Sequence, residues 1–176
     1  MLTRRKFIIV VGGVTLAGLV GCSGEEEQAA VACEPRPFRD DDECAVCGMF
    51  IAGFAGPKAQ ACLQDGRLLV FCSTSDLFVW LLQPDSAPQL RQAYVHDMGV
   101  TDWEQPSDDA FIPADTAVYV TEQPLMGGMG PTLASFGSEE AARAFMAEHE
   151  GRLLAYEEVD VQVLNDLARR HIEHSM

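Results

Sequence analysis

Cys44-Ala45-Val46-Cys47-Gly48-Met49 places two thiols and a thioether within one short stretch. Thiolate and thioether sulfur are the soft side-chain donors, and together they select Cu(I) over magnesium, calcium or manganese. Cys-x-x-Cys by itself leaves several chemistries open: a redox pair, half of a zinc site or a disulfide loop. Met49, two residues beyond Cys47, favours a metal, because sulfurs at i and i+2 can converge on one ion from a turn. The competing reading is a structural disulfide with Met49 in the core. A second sulfur group, Leu125-Met126-Gly127-Gly128-Met129-Gly130-Pro131, sits in a glycine-rich loop. Core methionine packs from helices and strands. In such a loop it is exposed or coordinating, and glycine lets backbone and thioether approach an ion closely. Cys47, Met49 and Met129 make a three-sulfur site, with Met126, Cys44 and Met98 as further candidates.

The remaining cysteines and histidines read more plainly. Five cysteines follow Cys22, an odd number, so at least one is free, metal-bound or paired between chains. Cys33 lies in a polar stretch and reads as a thiol without function or one tied in a disulfide. If Asp65-Gly66 forms a two-residue turn, Cys62 faces Leu69 and Cys72 faces Ala59. The two thiols then lie on opposite faces of the hairpin. Both read as buried free thiols, small apolar groups in effect. A zinc staple is disfavoured, because Cys44 and Cys47 with Cys62 and Cys72 lack the second close pair such sites use. His171 and His174 are one helical turn apart and could take up copper loosely. A solvated helix end is the preferred reading for them.

The elements that must position these residues read as α+β, with a strand-strand-helix-strand pattern occurring twice. The first copy spans residues 44–104. Ala59 to Leu63 and Arg67 to Cys72 are strands about the Asp65-Gly66 turn. Ser73 to Asp76 caps a helix that runs to Gln83 with Phe78, Leu81 and Leu82 as its apolar face, and Ala93 to Asp97 is a strand. The second copy spans residues 116–158. Its strands are Ala117 to Thr121 and Thr132 to Phe136, and its helix, capped at Ser138, ends at Gly151. Arg152 to Tyr156 is its closing strand. Residues 99–115 read as a linker. A last helix, within residues 160–176, carries Val161, Leu164, Leu167 and Ala168 on one face.

The chain begins with Thr3-Arg4-Arg5-Lys6-Phe7-Ile8, which looks like a twin-arginine export motif. The apolar run from Phe7 to Gly21 is shorter than the roughly 20 residues of a membrane span and matches a signal segment. Leu19-Val20-Gly21-Cys22 resembles a lipobox, which predicts lipidation at Cys22 and a signal peptide over residues 1–21. Residues 22–43 read as a tether. The expected place is the periplasm, anchored to membrane through Cys22, the outer membrane rather than the inner. The chain has 176 residues and a formal net charge of −15, with all 27 acidic residues after residue 21. Such a surface repels phosphate backbones, which argues against nucleic acid as a partner.

Several of these stretches together resemble the NosL family, the nitrous-oxide reductase accessory lipoproteins. They are lipobox Cys22, Cys44-Ala45-Val46-Cys47-Gly48-Met49, Tyr94-Val95-His96-Asp97 followed by Trp103, Met129-Gly130-Pro131 ahead of Phe136, and Ala144 to Gly151 before the last strand. The resemblance implies two strand-strand-helix-strand domains, similar in topology to part of organomercurial lyase. It also implies Cu(I) binding and supply of copper for the reductase's copper-sulfide centre. The implied partners are a copper maturation complex in the inner membrane and the reductase. The family's motif Cys and Met fall on Cys47 and Met49, and its loop Met on Met129. The position after Asp97, often aromatic in the family, is Met98 here, either a further sulfur ligand or a packing replacement. The resulting expectation is a metallochaperone without turnover. Its main rival is a thiol–disulfide oxidoreductase using Cys44 and Cys47. Against that rival, the acidic run Asp40-Asp41-Asp42-Glu43 should raise the Cys44 pKa, and Met49 would have no role. A carbon–metal lyase rests on fold analogy alone.

Overall fold

Strand β1 (Ala59–Leu63) runs antiparallel to β2 (Leu68–Phe71) through a short turn in the computed structural model, which describes residues 33–175. The twin-arginine-like segment, Cys22 and the tether up to residue 32 lie outside the described residues, as do the side chains of His171 and His174. The hairpin register differs by one from the expected one. Ala59 pairs with Phe71 and Cys62 with Leu68. Leu63 N donates to Arg67 O, so Gln64-Asp65-Gly66 is a three-residue loop, with Gly66 at φ +84. A glycine in the left-handed position is what closes loops of this length.

Helix α1 (Thr74–Leu81) follows β2 directly. Its N-cap Ser73 accepts from Asp76 N, as the sequence predicted. Its buried residues are Thr74, Leu77 and Phe78, whereas Leu82 is exposed. Strand β3 (Leu90–His96) returns beside β1, and β4 (Phe111–Pro113) pairs with β3, giving the sheet order β2-β1-β3-β4. The stretch expected to be a plain linker therefore contributes an edge strand. Three residues are too few for an alternation signal, and Pro113 at its end suits an edge.

A second sheet, β8-β5-β9, is built from β5 (Val118–Thr121), β8 (Ala134–Phe136) and β9 (Arg152–Leu154), with α2 (Glu139–His149) between β8 and β9. The glycine-rich loop closes as a small hairpin, β6 (Met126–Gly127) against β7 (Gly130–Pro131). Helix α3 (Val161–Ser175) buries Val163 and Leu167. Val161, expected on the buried face, is 57% exposed.

One apolar cluster joins both sheets and α3: Ala61, Phe71, Leu77 and Phe78 meet Tyr119, Leu133, Leu154 and Leu167. Neither sheet is a separate globule, which suits units too small to bury a comfortable core alone. A smaller cluster of Met98, Val120, Ala134, Phe136 and Ala142 lies under α2.

Every residue of β1 is buried, because the sheet is covered on both faces. On the face away from α1 lies the segment from Cys33 to Asp42, which the sequence placed in the tether. Arg36 N donates to Gln60 Oε1 (3.0 Å) and Gln60 Nε2 donates to Arg36 O (2.6 Å). A disulfide joins Cys33 to Cys62. Cys62 is therefore not the free thiol expected, and the disulfide-linked reading of Cys33 holds. Tethers and such cover segments share composition, so periodicity cannot tell them apart.

Candidate metal centre

The Cys44–Met49 stretch folds back on itself. Cys44 N donates to Met49 O and Gly48 N donates to Cys44 O, each at 2.9 Å, and Glu43 forms a β-bridge with Phe50. Gly48 closes the loop at φ +72, a backbone region that side-chain-bearing residues rarely occupy. Ala45 N donates to Val70 O at 2.9 Å, which fastens the loop to β2. This fastening brings Cys47 Sγ to 3.6 Å from Cys72 Sγ, just past the end of β2.

Asp76, in the first turn of α1, completes the group. Cys72 Sγ donates to Asp76 Oδ2 at 2.8 Å, Ser73 Oγ donates to the same oxygen at 3.0 Å, and Cys44 Sγ lies 4.0 Å from it. The ligating atoms of Cys44, Cys47, Cys72 and Asp76 all lie within 4.8 Å of one another. Cys44 and Cys72 are buried, and Cys47 is exposed. Cys72 is thus free and buried as expected, but it is a member of the sulfur group rather than an apolar filler. The sequence carried a signal for this in Cys72-Ser-Thr-Ser-Asp76. A strand-end cysteine four residues before an acid, across a helix cap, projects both groups to one place. The second close pair found lacking for a zinc-type site is this one, a thiol with a carboxylate.

The thiols divide their protons unequally. Contact with Cys72 holds the Cys44 thiol down to about 5, against the cost of burial. This reverses the rise expected from the acidic run, whose Asp42 is engaged instead by Arg36 through two hydrogen bonds of 2.7 Å. Cys72 is pushed up, by its contact with Cys44, then burial, then Asp76. Burial also pushes Cys47 up.

The methionines differ in placement. Met49, Met126 and Met129 are 48%, 42% and 50% exposed, so their sulfurs are not spent on packing. Met98 packs into the cluster under α2, the position of a packing replacement. The β6–β7 hairpin carrying Met126 and Met129 is stapled to α1. Thr74 Oγ1 and Thr132 Oγ1 are hydrogen-bonded at 3.0 Å, Ser75 Oγ donates to Thr132 Oγ1 at 3.3 Å, and Leu133 N donates to Ser75 Oγ at 3.3 Å. Met129 borders an open cavity of about 370 Å³ with Ser75, Val79 and Leu164. The cysteine group and the Met129 hairpin therefore both adjoin the first turn of α1.

The family model for NosL matches residues 35–164. The chain belongs to the NosL family. It is 46% identical over 151 residues to the copper-binding lipoprotein NosL of Stutzerimonas stutzeri, covering 86% of this chain and 78% of that one. It is 32% identical over 169 residues to the copper-binding lipoprotein NosL of Achromobacter cycloclastes, covering 93% and 85%. The crystal structure of the copper chaperone NosL from Shewanella denitrificans superposes with a TM-score of 0.71 at 35% identity, covering 73% of this chain and 97% of that chain. The α+β class expected from the sequence agrees with this NosL structure.

Proposed function

We propose that this chain is an exported, lipid-anchored Cu(I) metallochaperone that supplies copper for assembly of the copper-sulfide centre of nitrous-oxide reductase. The observation that carries the reading is the exposed thiol of Cys47 beside two buried thiols, with exposed methionine thioethers on the same motif and on the hairpin stapled to α1. Soft sulfur donors at a surface suit a cargo ion that must be both held and given up. Cys47, Met49 and Met129 are the proposed ligands. Cys44 and Met126 stand beside them as alternates, and Met98 acts as packing. The printed names of the relatives, copper-binding lipoprotein and copper chaperone, support the same cargo. Lipidation at Cys22, residence on the outer membrane facing the periplasm, and delivery through an inner-membrane copper maturation complex complete the proposal.

The oxidoreductase alternative needs one residue to be both exposed and thiolate. Here the two properties are split. Cys44 has the lowered pKa but is buried, while Cys47 is exposed and its pKa is raised. The deciding experiment is anaerobic titration of the reduced protein with Cu(I), alongside an insulin-reduction assay. One tightly held equivalent of copper and no turnover support the chaperone. Catalytic reduction of insulin, or failure to retain Cu(I) against a chelator, contradicts it.

A further inference from the structure

The copper reading uses Cys47 with thioethers and leaves three donors unused: two buried thiols, Cys44 and Cys72, and the carboxylate of Asp76. Cu(I) is satisfied by sulfur and has little use for a hard carboxylate oxygen. Zinc takes thiolates and carboxylates together in four-coordinate tetrahedral sites. With Zn–S bonds of about 2.3 Å, a tetrahedron places its sulfurs about 3.8 Å apart. Cys47 Sγ and Cys72 Sγ are already 3.6 Å apart, and all four donor atoms fall within 4.8 Å of one another. The Cys72–Asp76 contact, 2.8 Å, must open, a hydrogen bond whose proton a metal would displace, and the wider pairs, such as Cys44 Sγ to Asp76 Oδ2 at 4.0 Å, must close slightly.

The surroundings are built for such a seat. Cys44 is fixed by hydrogen bonds at both its backbone N–H and its carbonyl, and Cys72 is fully buried. The second oxygen-bearing side chain, Ser73, donates to Asp76 Oδ2 at 3.0 Å and so orients the carboxylate. A hydrogen bond of this kind to a ligating carboxylate is a recurrent support in metal sites.

We propose that Cys44, Cys47, Cys72 and Asp76 form a seat for a divalent zinc-class ion, meeting the copper seat at Cys47. That shared residue rests on the copper reading above; the seat itself does not. An ion held there occupies all three thiols and keeps them from oxidative pairing until copper arrives.

The test uses the reduced, metal-free protein with Zn²⁺ in equilibrium dialysis and Co²⁺ as the spectroscopic probe. Wild type should bind one Zn²⁺, and its Co²⁺ form should show thiolate-to-cobalt charge transfer with intense four-coordinate bands. Cys72→Ser and Asp76→Asn should each weaken Zn²⁺ by at least about 100-fold, since outer-shell partners alone are worth 10–100-fold. Met49→Leu and Met129→Leu should leave Zn²⁺ affinity unchanged while weakening Cu(I). Circular dichroism confirms that each variant is folded, and the cobalt spectrum of wild type needs no variant. A cobalt spectrum without thiolate bands, or Zn²⁺ affinity indifferent to both Cys72→Ser and Asp76→Asn, overturns the seat. If Zn²⁺ binding behaves as described while Cu(I) is not retained, the copper reading falls and the zinc seat stands.

Discussion

Cys47 Sγ lies 3.6 Å from Cys72 Sγ, although the two residues are 25 positions apart. The motif loop and the strand-to-helix junction meet at that contact, and Cys44, Cys47, Cys72 and Asp76 each belong to one or the other.

The staple between α1 and the methionine hairpin should support both stability and binding. Thr74 is fully buried, and its hydroxyl also donates to the Leu133 carbonyl. Thr74→Val leaves that carbonyl and the Thr132 hydroxyl without this partner, at a cost of about 1–3 kcal/mol. Urea denaturation should show that loss, and Cu(I) affinity should fall with it as the Met129 hairpin loosens. Unchanged copper affinity in a destabilised variant would mean the hairpin contributes no ligand.

The Cys33–Cys62 disulfide should act on stability alone. It closes a segment with a sequence separation of 29. In the chain-entropy picture a loop of that size is worth about 3–4 kcal/mol. The double variant Cys33→Ser/Cys62→Ser should lose about that much in urea denaturation and keep wild-type Cu(I) affinity. A changed copper affinity would tie the disulfide to the centre.

Acid sensitivity should trace to His96. The ring is fully buried, packed against Phe38 and Phe111, with Nδ1 accepting from Lys58 N at 3.3 Å and Nε2 4.0 Å from Asp108 Oδ1. Burial, with Lys58 adding to it, pushes its pKa down to about 3 from 6.5. Above pH 6.5 the ring is neutral in folded and unfolded chains, so its full contribution to stability is present. As pH falls from about 6.5 toward about 3, only the unfolded chain takes up the proton, and stability declines by up to about 1.4 kcal/mol per pH unit. His96→Asn can still accept from Lys58 N and should flatten that limb of a urea-stability profile. Superimposable acid limbs would show that another group is responsible.

Much of the fold was legible. A turn at Asp65-Gly66 and the Ser73 and Ser138 caps announced themselves locally. The hairpin loop takes three residues where Asp65-Gly66 alone suggests two, which pairs Cys62 with Leu68, and Cys62 is not free because Cys33 reaches it from 29 positions away. The cover segment from Cys33 to Asp42 is held by Cys62 and Gln60, and the short strand β4 by β3, partners distant in the chain that no local pattern reveals. The same holds at the centre. Cys47 and Met49 are visible as a motif, but Cys72 and Asp76 lie beside Cys47 through the fold, where Ala45 is hydrogen-bonded to Val70.

The central claim, that Cys47 carries copper with thioether help, is tested most directly by anaerobic competition of single variants against a Cu(I) chelator. Thiolate is the one charged donor among Cys47, Met49 and Met129, so its loss leaves the cation unneutralised. Cys47→Ser should therefore lose the most affinity, Met49→Leu and Met129→Leu less, and Cys44→Ser least. Leucine keeps methionine's volume, which limits fold damage to under about 1.5 kcal/mol. Wild-type affinity in Cys47→Ser, or a loss in Cys44→Ser equal to that in Cys47→Ser, would contradict the account and move the copper onto the Cys44–Cys47 pair or elsewhere.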